Sequence, residues 1–85
     1  MHPSQVTTEG VVVTPLSLED GSKGLFAHFK AVFNEIDECD CLAFGRLGIE
    51  VIGTLKERDK ILVRGALYCG SSNSRSLYIF EIDKH

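Results

Sequence analysis

The chain has 85 residues, a formal charge of −3, and 44% hydrophobic and 25% charged side chains, which describes one domain near the lower size limit for a self-sufficient core. This balance excludes a disordered chain, and a partner subunit that covered further apolar surface would add stability at this size. No apolar run reaches the about 20 residues that cross a bilayer, and residues 1–10 lack the basic head and apolar middle of a signal peptide, so a cytoplasmic protein without a membrane partner is expected.

Residues 1–9 are polar, contain Pro3, and read as a loose leader to a domain spanning 10–85. Three consecutive valines, Val11, Val12 and Val13, suit a strand buried on both faces or paired with another subunit. Pro15 must end that strand, bend it or place it at an edge. Residues 17–24, SLEDGSKG, carry turn chemistry, with Asp20-Gly21 as the tight bend of a hairpin.

Residues 25–33 fit two periods. As a strand, Leu25, Ala27, Phe29, Ala31 and Phe33 share a core face, and Phe26, His28, Lys30 and Val32 share the opposite one. As a helix, Phe26, Phe29 and Phe33 line up instead. The strand is preferred, because the Asp-Gly signal before it and the strand after it both want an antiparallel neighbour.

Residues 34–40, NEIDECD, are the most acidic stretch and read as a solvated connection. They lack the glycine-punctuated spacing of a calcium loop, and nothing beside them would separate one carboxyl from another for acid–base work. On the following strand Cys39, Cys41 and Ala43 share one face, while Asp40, Leu42 and Phe44 share the other. The two cysteines, with His28 as a third ligand, would make a metal or redox pair; small buried hydrophobes are the simpler account, since C-x-C without a second pair is a weak metal signal. Phe44 either stacks a base, a contact worth about 1–3 kcal/mol, or caps a satellite cluster with Leu62.

Residues 46–56 read as a short helix weakened by Gly48 and Gly53, each costing about 1 kcal/mol against alanine in a helix interior. Tertiary packing must hold it, as it would if Leu47, Val51, Ile52 and Leu55 plugged the bottom of a small barrel. After a turn at Asp59-Lys60, Ile61 and Val63 face the core, Lys60, Leu62 and Arg64 face out, and Gly65 is placed for a bulge or corner. Residues 69–75 read as a hairpin loop. Residues 76–82 read as the last strand, with Tyr78, Phe80 and Ile82 on one side and Leu77, Ile79 and Glu81 on the other.

The block 41–68, CLAFGRLGIEVIGTLKERDKILVRGALY, therefore runs strand, helix, charged turn, strand. Its signposts are Ala43-Phe44-Gly45-Arg46-Leu47, then Lys56-Glu57-Arg58-Asp59-Lys60, then Ile61-Leu62-Val63-Arg64-Gly65. Over these residues the chain resembles, without a gap, the central block of the bacterial single-stranded DNA-binding proteins and of the related primosomal replication protein n. The resemblance implies an all-β fold with one short helix, the five-stranded OB-fold Greek-key barrel, whose central strands and hairpin loops receive oligonucleotides. It also implies that Phe44 belongs to a binding surface. Phe26, Lys30, Arg46 and Arg64 join it as nucleic-acid-binding candidates, because they fall on or beside the same outward face.

Charge is distributed in keeping with this. Residues 1–41 hold two basic and seven acidic side chains, a net −5, whereas residues 42–80 hold six basic and three acidic, a net +3. Against it, the chain has no tryptophan, the residue on which that family stacks bases in the loop before the central strand and in the final hairpin. Two function classes follow. One is a non-enzymatic module for single-stranded DNA or RNA in replication, repair or recombination, dimeric through the valine strand and able to meet replication or repair proteins. The other is an OB-fold protein-interaction or assembly domain, favoured by the net acidity and the missing tryptophans. No catalytic residue, metal or cofactor is expected, because the chain has no nucleophile and base pair, no phosphate loop and no metal-ligand spacing.

Overall fold

The computed structural model describes residues 4–34, 37–70 and 74–84. Residues 1–3 of the expected leader, 35–36 of the acidic connection and 71–73 of the expected hairpin loop lie outside the described residues. The elements are β1 (Ser4–Val12), β2 (Ser17–Gly21), β3 (Gly24–Phe33), β4 (Cys39–Phe44), α1 (Gly45–Thr54), β5 (Lys60–Cys69) and β6 (Arg75–Lys84).

The strands form one sheet in the order β1-β5-β6-β4-β3-β2, which closes on itself through a β1–β3 pairing. Every pairing is antiparallel except β4–β6, which is parallel. β1 and β2 lie one after the other along the same edge of β3, with Val12 opposite Ala31 and Ser17 opposite His28. They are two halves of a single barrel strand, broken where Pro15 withholds a donor. The break is bridged at Lys30, whose N–H donates to Thr14 Oγ1 at 2.8 Å and whose carbonyl accepts from Val13 N–H at 2.9 Å. The result is the closed five-stranded OB barrel with one helix that the sequence led us to expect.

The interior is supplied by period-two alternation. Ala27, Phe29, Ala31 and Phe33 of β3 point inward with Cys39, Cys41 and Ala43 of β4, Ile61 and Val63 of β5, and Leu77 and Ile79 of β6. Phe29 is fully buried, and a core phenylalanine of this kind contributes about 3–5 kcal/mol over alanine. α1 closes one end of the barrel with Val51, while Leu47 and Ile52 pack against the cluster and Leu55 follows the last turn into it. The helix has no side-chain cap. The chain leaves β4 in extended conformation at Phe44 and enters the helix at Gly45 with φ of 63°, a conformation glycine adopts without strain.

Four local expectations are corrected. Strand β1 begins at Ser4, so residues 4–9 of the expected leader are paired with 62–67 of β5. Residues 17–21 are strand, and the hairpin bends at Ser22-Lys23 between paired Gly21 and Gly24. All five residues of β2 are exposed, so no apolar alternation marks them as a strand. Leu25 is 43% exposed, because β3 there has run past the barrel into that hairpin. The register between β5 and β6 shifts at Arg64/Gly65, leaving Phe80 unpaired and outside while Ile82 returns to the core beyond it. Gly65 is required there, since a Cβ would lie 2.3 Å from the Tyr78 carbonyl oxygen.

No helix among the described residues is long and apolar enough to cross a membrane.

Candidate nucleic-acid interface

The face of the sheet opposite the core carries a row of aromatic rings. Phe26 on β3 is directly opposite Phe44 on β4, and their ring centres are 5.2 Å apart with planes inclined by 37°. Phe44 lies 5.7 Å from Tyr78 on β6, the two planes within 24° of parallel. Tyr78 lies 4.9 Å from Tyr68 on β5 at an inclination of 58°. The alternation that buries Ala27, Phe29, Cys41, Ala43, Leu77 and Ile79 is what turns Phe26, Phe44 and Tyr78 outward.

A groove of about 250 Å³ runs between the β2–β3 turn, with Ser22 and Lys23, and the side chains of Phe26, Leu42, Phe44 and Tyr78. Two further hollows lie beside β1, lined by Glu9, Asn34 and neighbouring residues of β1 and β5. They contain no aromatic ring on which a base can stack. The groove on the ring-bearing face is therefore the one whose chemistry suits a nucleobase.

Basic side chains near the rings divide into two held by carboxylates and two without an ion pair to a described residue. His28, two positions along β3 from Phe26, has Nε2 3.0 Å from Asp40 Oδ1 and Nδ1 3.5 Å from Glu19 Oε2. Glu19 also accepts from Ser17 Oγ at 3.1 Å, which fixes its position on β2. Lys30 Nζ is 3.8 Å from Glu38. Lys23 at the lip of the groove and Arg46 in the first turn of α1 make no ion pair with a described residue.

Of the candidates from sequence, the structure brings Phe26 and Phe44 into contact and places Lys30 on their face of β3, two residues beyond His28. Arg46 is exposed two residues after Phe44. Arg64 is not gathered with them: it lies beyond the β5–β6 bulge, paired with Glu81, beside a separate hollow shared with Thr7, Leu62 and Asp83. Phe44 contacts Phe26 and Tyr78, so its neighbours are other outward rings in place of the satellite cluster with Leu62.

Sequence reasoning missed Tyr78, Tyr68 and Lys23. Tyr78 was legible from the alternation that sets it against Leu77 and Ile79, once that pair is given to the core. Lys23 carried no such signal, since only the hairpin register brings it to the groove.

The cysteines turn away from this face. Cys39 and Cys41 are buried on the core side of β4, whereas His28 points outward, so the three cannot join at one metal. Its hydrogen bond to Cys39, and then burial, push the Cys41 thiol far up, while the same bond lowers Cys39. Both are small core side chains, and together with exposed Cys69 they are free thiols.

No protein-family model matches the sequence, and no curated protein matches it. Solved structures do match. A small single-stranded DNA-binding protein from Streptomyces coelicolor is 18% identical, with a TM-score of 0.91 over 100% of this chain and 95% of that one. The second single-stranded DNA-binding protein of Mycobacterium smegmatis is 17% identical, with a TM-score of 0.83 over 96% and 88%. A mitochondrial single-stranded DNA-binding protein of S. cerevisiae is 11% identical, with a TM-score of 0.78 over 100% and 97%. At these identities the likeness establishes the fold, the OB barrel of the single-stranded DNA-binding proteins, along nearly the whole length of each chain.

Proposed function

We propose that this chain is a non-enzymatic module that binds single-stranded DNA, acting in replication, repair or recombination in the reducing cytoplasm. The observation that carries the reading is the contact of Phe26 with Phe44 on the outward face of an OB barrel, beside a groove open to solvent. Bases stack on these rings, each contact being worth about 1–3 kcal/mol and tolerant of sequence. Lys23 and Arg46, free of ion pairs with the described residues, take phosphates at the groove's edge, while Lys30 is held back by Glu38. The similar solved structures, all named for single-stranded DNA binding, support the same reading.

The module acts as a homodimer through the valine strand. Val11 and Val32 are cross-strand partners on the outside of the barrel and are 36% and 43% exposed, an apolar pair that a second copy would cover. Light scattering should return twice the chain mass, and a monomer at all concentrations removes this part of the reading.

A second reading, a protein-interaction domain, is favoured by the ion pairs that hold Lys30, Arg64 and Arg75 and by the net charge of −3. Titration of labelled oligo-dT at low salt separates the two. Saturable binding that Phe44→Ala weakens by about 5- to 150-fold is expected, the equivalent of one lost stack. Absence of binding, or binding that Phe44→Ala leaves intact, overturns the stacking reading.

A further inference from the structure

We propose that Tyr78 and Tyr68 are nucleic-acid-binding residues, and that a single strand lies across β3, β4, β6 and β5 along one continuous row of rings. The inference rests on the proposed function and extends it to residues on the other side of the barrel's parallel seam.

The geometry of the row sets its direction. Phe26 and Phe44 face each other across β3 and β4. Tyr78 is opposite Leu42, two residues before Phe44, and opposite Ala66, two residues before Tyr68. The first step is straight across and the next two are diagonal, so the row slants from the β2–β3 hairpin toward the β5–β6 hairpin. Its three centre-to-centre steps, 5.2, 5.7 and 4.9 Å, carry the row across the parallel β4–β6 pairing without a gap. A strand that enters by Lys23 meets an unbroken apolar path to Tyr68.

The tyrosines are also under-used by the fold itself. Tyr68 is 43% exposed, and neither phenolic hydroxyl hydrogen-bonds to a described residue. Cross-strand ring pairs stabilise a sheet without any ligand, and Tyr78 fills that role against both Phe44 and Tyr68, whereas Tyr68, paired with Tyr78, keeps much of its surface in solvent. An exposed ring face with an unengaged donor at its tip fits a base above and a phosphate or base edge beside it. This arrangement also answers the missing tryptophans: stacking surface is supplied by strand faces, so the final hairpin needs no aromatic at its tip. One base per ring gives a site of about four nucleotides, the lower end of the range for an OB domain.

Both tyrosines of the chain lie in the row and there is no tryptophan, so intrinsic emission reports on these two rings alone. Titrating oligo-dT of increasing length into the protein should quench that emission saturably. Affinity should climb steeply up to about four nucleotides and only slowly beyond. Tyr78→Ala and Tyr68→Ala should each weaken dT binding by about 5- to 150-fold, while Tyr78→Phe and Tyr68→Phe, which keep the stacking ring and lose only the hydroxyl contact, should weaken it less than the alanine variants and each remove part of the quenching. Thermal melts of the alanine variants separate lost binding from lost fold, and the phenylalanine variants carry the result if the alanine variants melt early. Binding that depends on Phe44 yet leaves tyrosine emission and length dependence unchanged overturns this inference and spares the proposed function. No binding at all overturns both.

Discussion

His28 and Asp40 meet on a diagonal across β3 and β4, Asp40 standing opposite Lys30, on the same side of the sheet as the aromatic row, with Nε2 3.0 Å from Oδ1. The imidazole thereby holds a carboxylate on the very strand that carries Phe44, four residues before it. A phosphate passing over the rings meets that negative charge. Asp40→Asn keeps the shape and removes the charge, so it should strengthen oligo-dT binding by about 1.5- to 5-fold at low salt, the range of exposed charge interactions. At about 1 M salt, where the screening length is near 3 Å, the gain should vanish. A titration at both ionic strengths checks this, and equal affinities at low salt would place the DNA path away from Asp40.

Lys30 offers a count of phosphates. Its ammonium is shared with Glu38 at 3.8 Å, both side chains being half exposed, so the pair costs little to break. Glu38→Gln releases Lys30 to the nucleic acid. The plot of log affinity against log salt should then steepen by about 0.7, the increment for one phosphate contact on a single strand. Lys23→Ala should make it shallower by about the same amount. Arg64→Ala, beyond the bulge and paired with Glu81, should leave the slope where it was.

How far the site could be read from sequence follows from how local each signal is. The outward set of β3 and β4 needed only period-two alternation, and Phe26 and Phe44 emerge from it. β2 is exposed throughout and bears no periodic mark, so a strand there was hidden behind turn-forming residues. The bulge at Gly65 was signalled by its glycine, but its effect was not: Phe80 leaves the ladder, and Tyr78 and Ile82, same-sided by simple alternation, end on opposite faces. The meeting of Phe44 with Tyr78 depends on a parallel pairing between strands more than thirty residues apart, and no local pattern encodes it. Ion pairs are equally non-local, which is why Arg64 read as a cation available to DNA.

Thr8 places a hydroxyl in the barrel wall at a cost. The residue is 6% exposed, and Oγ1 finds no hydrogen-bond partner among the described residues. Leaving such a group unsatisfied costs about 1–3 kcal/mol. Thr8→Val keeps the β-branched shape opposite Val63 and removes the hydroxyl. A gain of about 1 kcal/mol is expected, read in calorimetry as a rise in Tm of about 4–8 °C for a domain of this size. An unchanged or lowered Tm would mean that the hydroxyl is satisfied in solution.

Asp59 ties the turn after α1 together. Its carboxylate accepts Lys56 N–H at 2.8 Å and lies 3.3 Å from Lys84 Nζ, and these partners, the backbone N–H first, hold its pKa below the usual carboxylate value. A carboxylate depressed on folding contributes stability that is fully present above its unfolded value of 3.8 and is lost as pH falls through the folded one. Asp59→Asn should therefore lower Tm at neutral pH, with the difference from wild type closing in acid below that value. Melting both proteins across pH 2–7 checks the sign, and a gap that widens in acid would contradict it.

The two helix glycines make opposite demands on one substitution. Gly53 near the end of α1 has nothing within 4 Å of a built Cβ, so Gly53→Ala gains helix propensity, about 0.5–1 kcal/mol, at no steric expense. Gly48 faces the sheet, where a Cβ would lie 2.3 Å from the Ala43 carbonyl oxygen and 3.0 Å from the Ala27 nitrogen. Backbone atoms of β3 and β4 cannot step aside as a flexible side chain can, so Gly48→Ala must lift the helix off the barrel. The propensity gain is then outweighed by overpacking of about 1–3 kcal/mol. Because Ala43 precedes Phe44 on the same strand, the displacement should also disturb the ring row. Urea melts should show Gly53→Ala stabilised and Gly48→Ala destabilised, and oligo-dT affinity should fall only in the latter. Equal effects at the two positions would mean that α1 does not seat against β3 and β4 through Gly48.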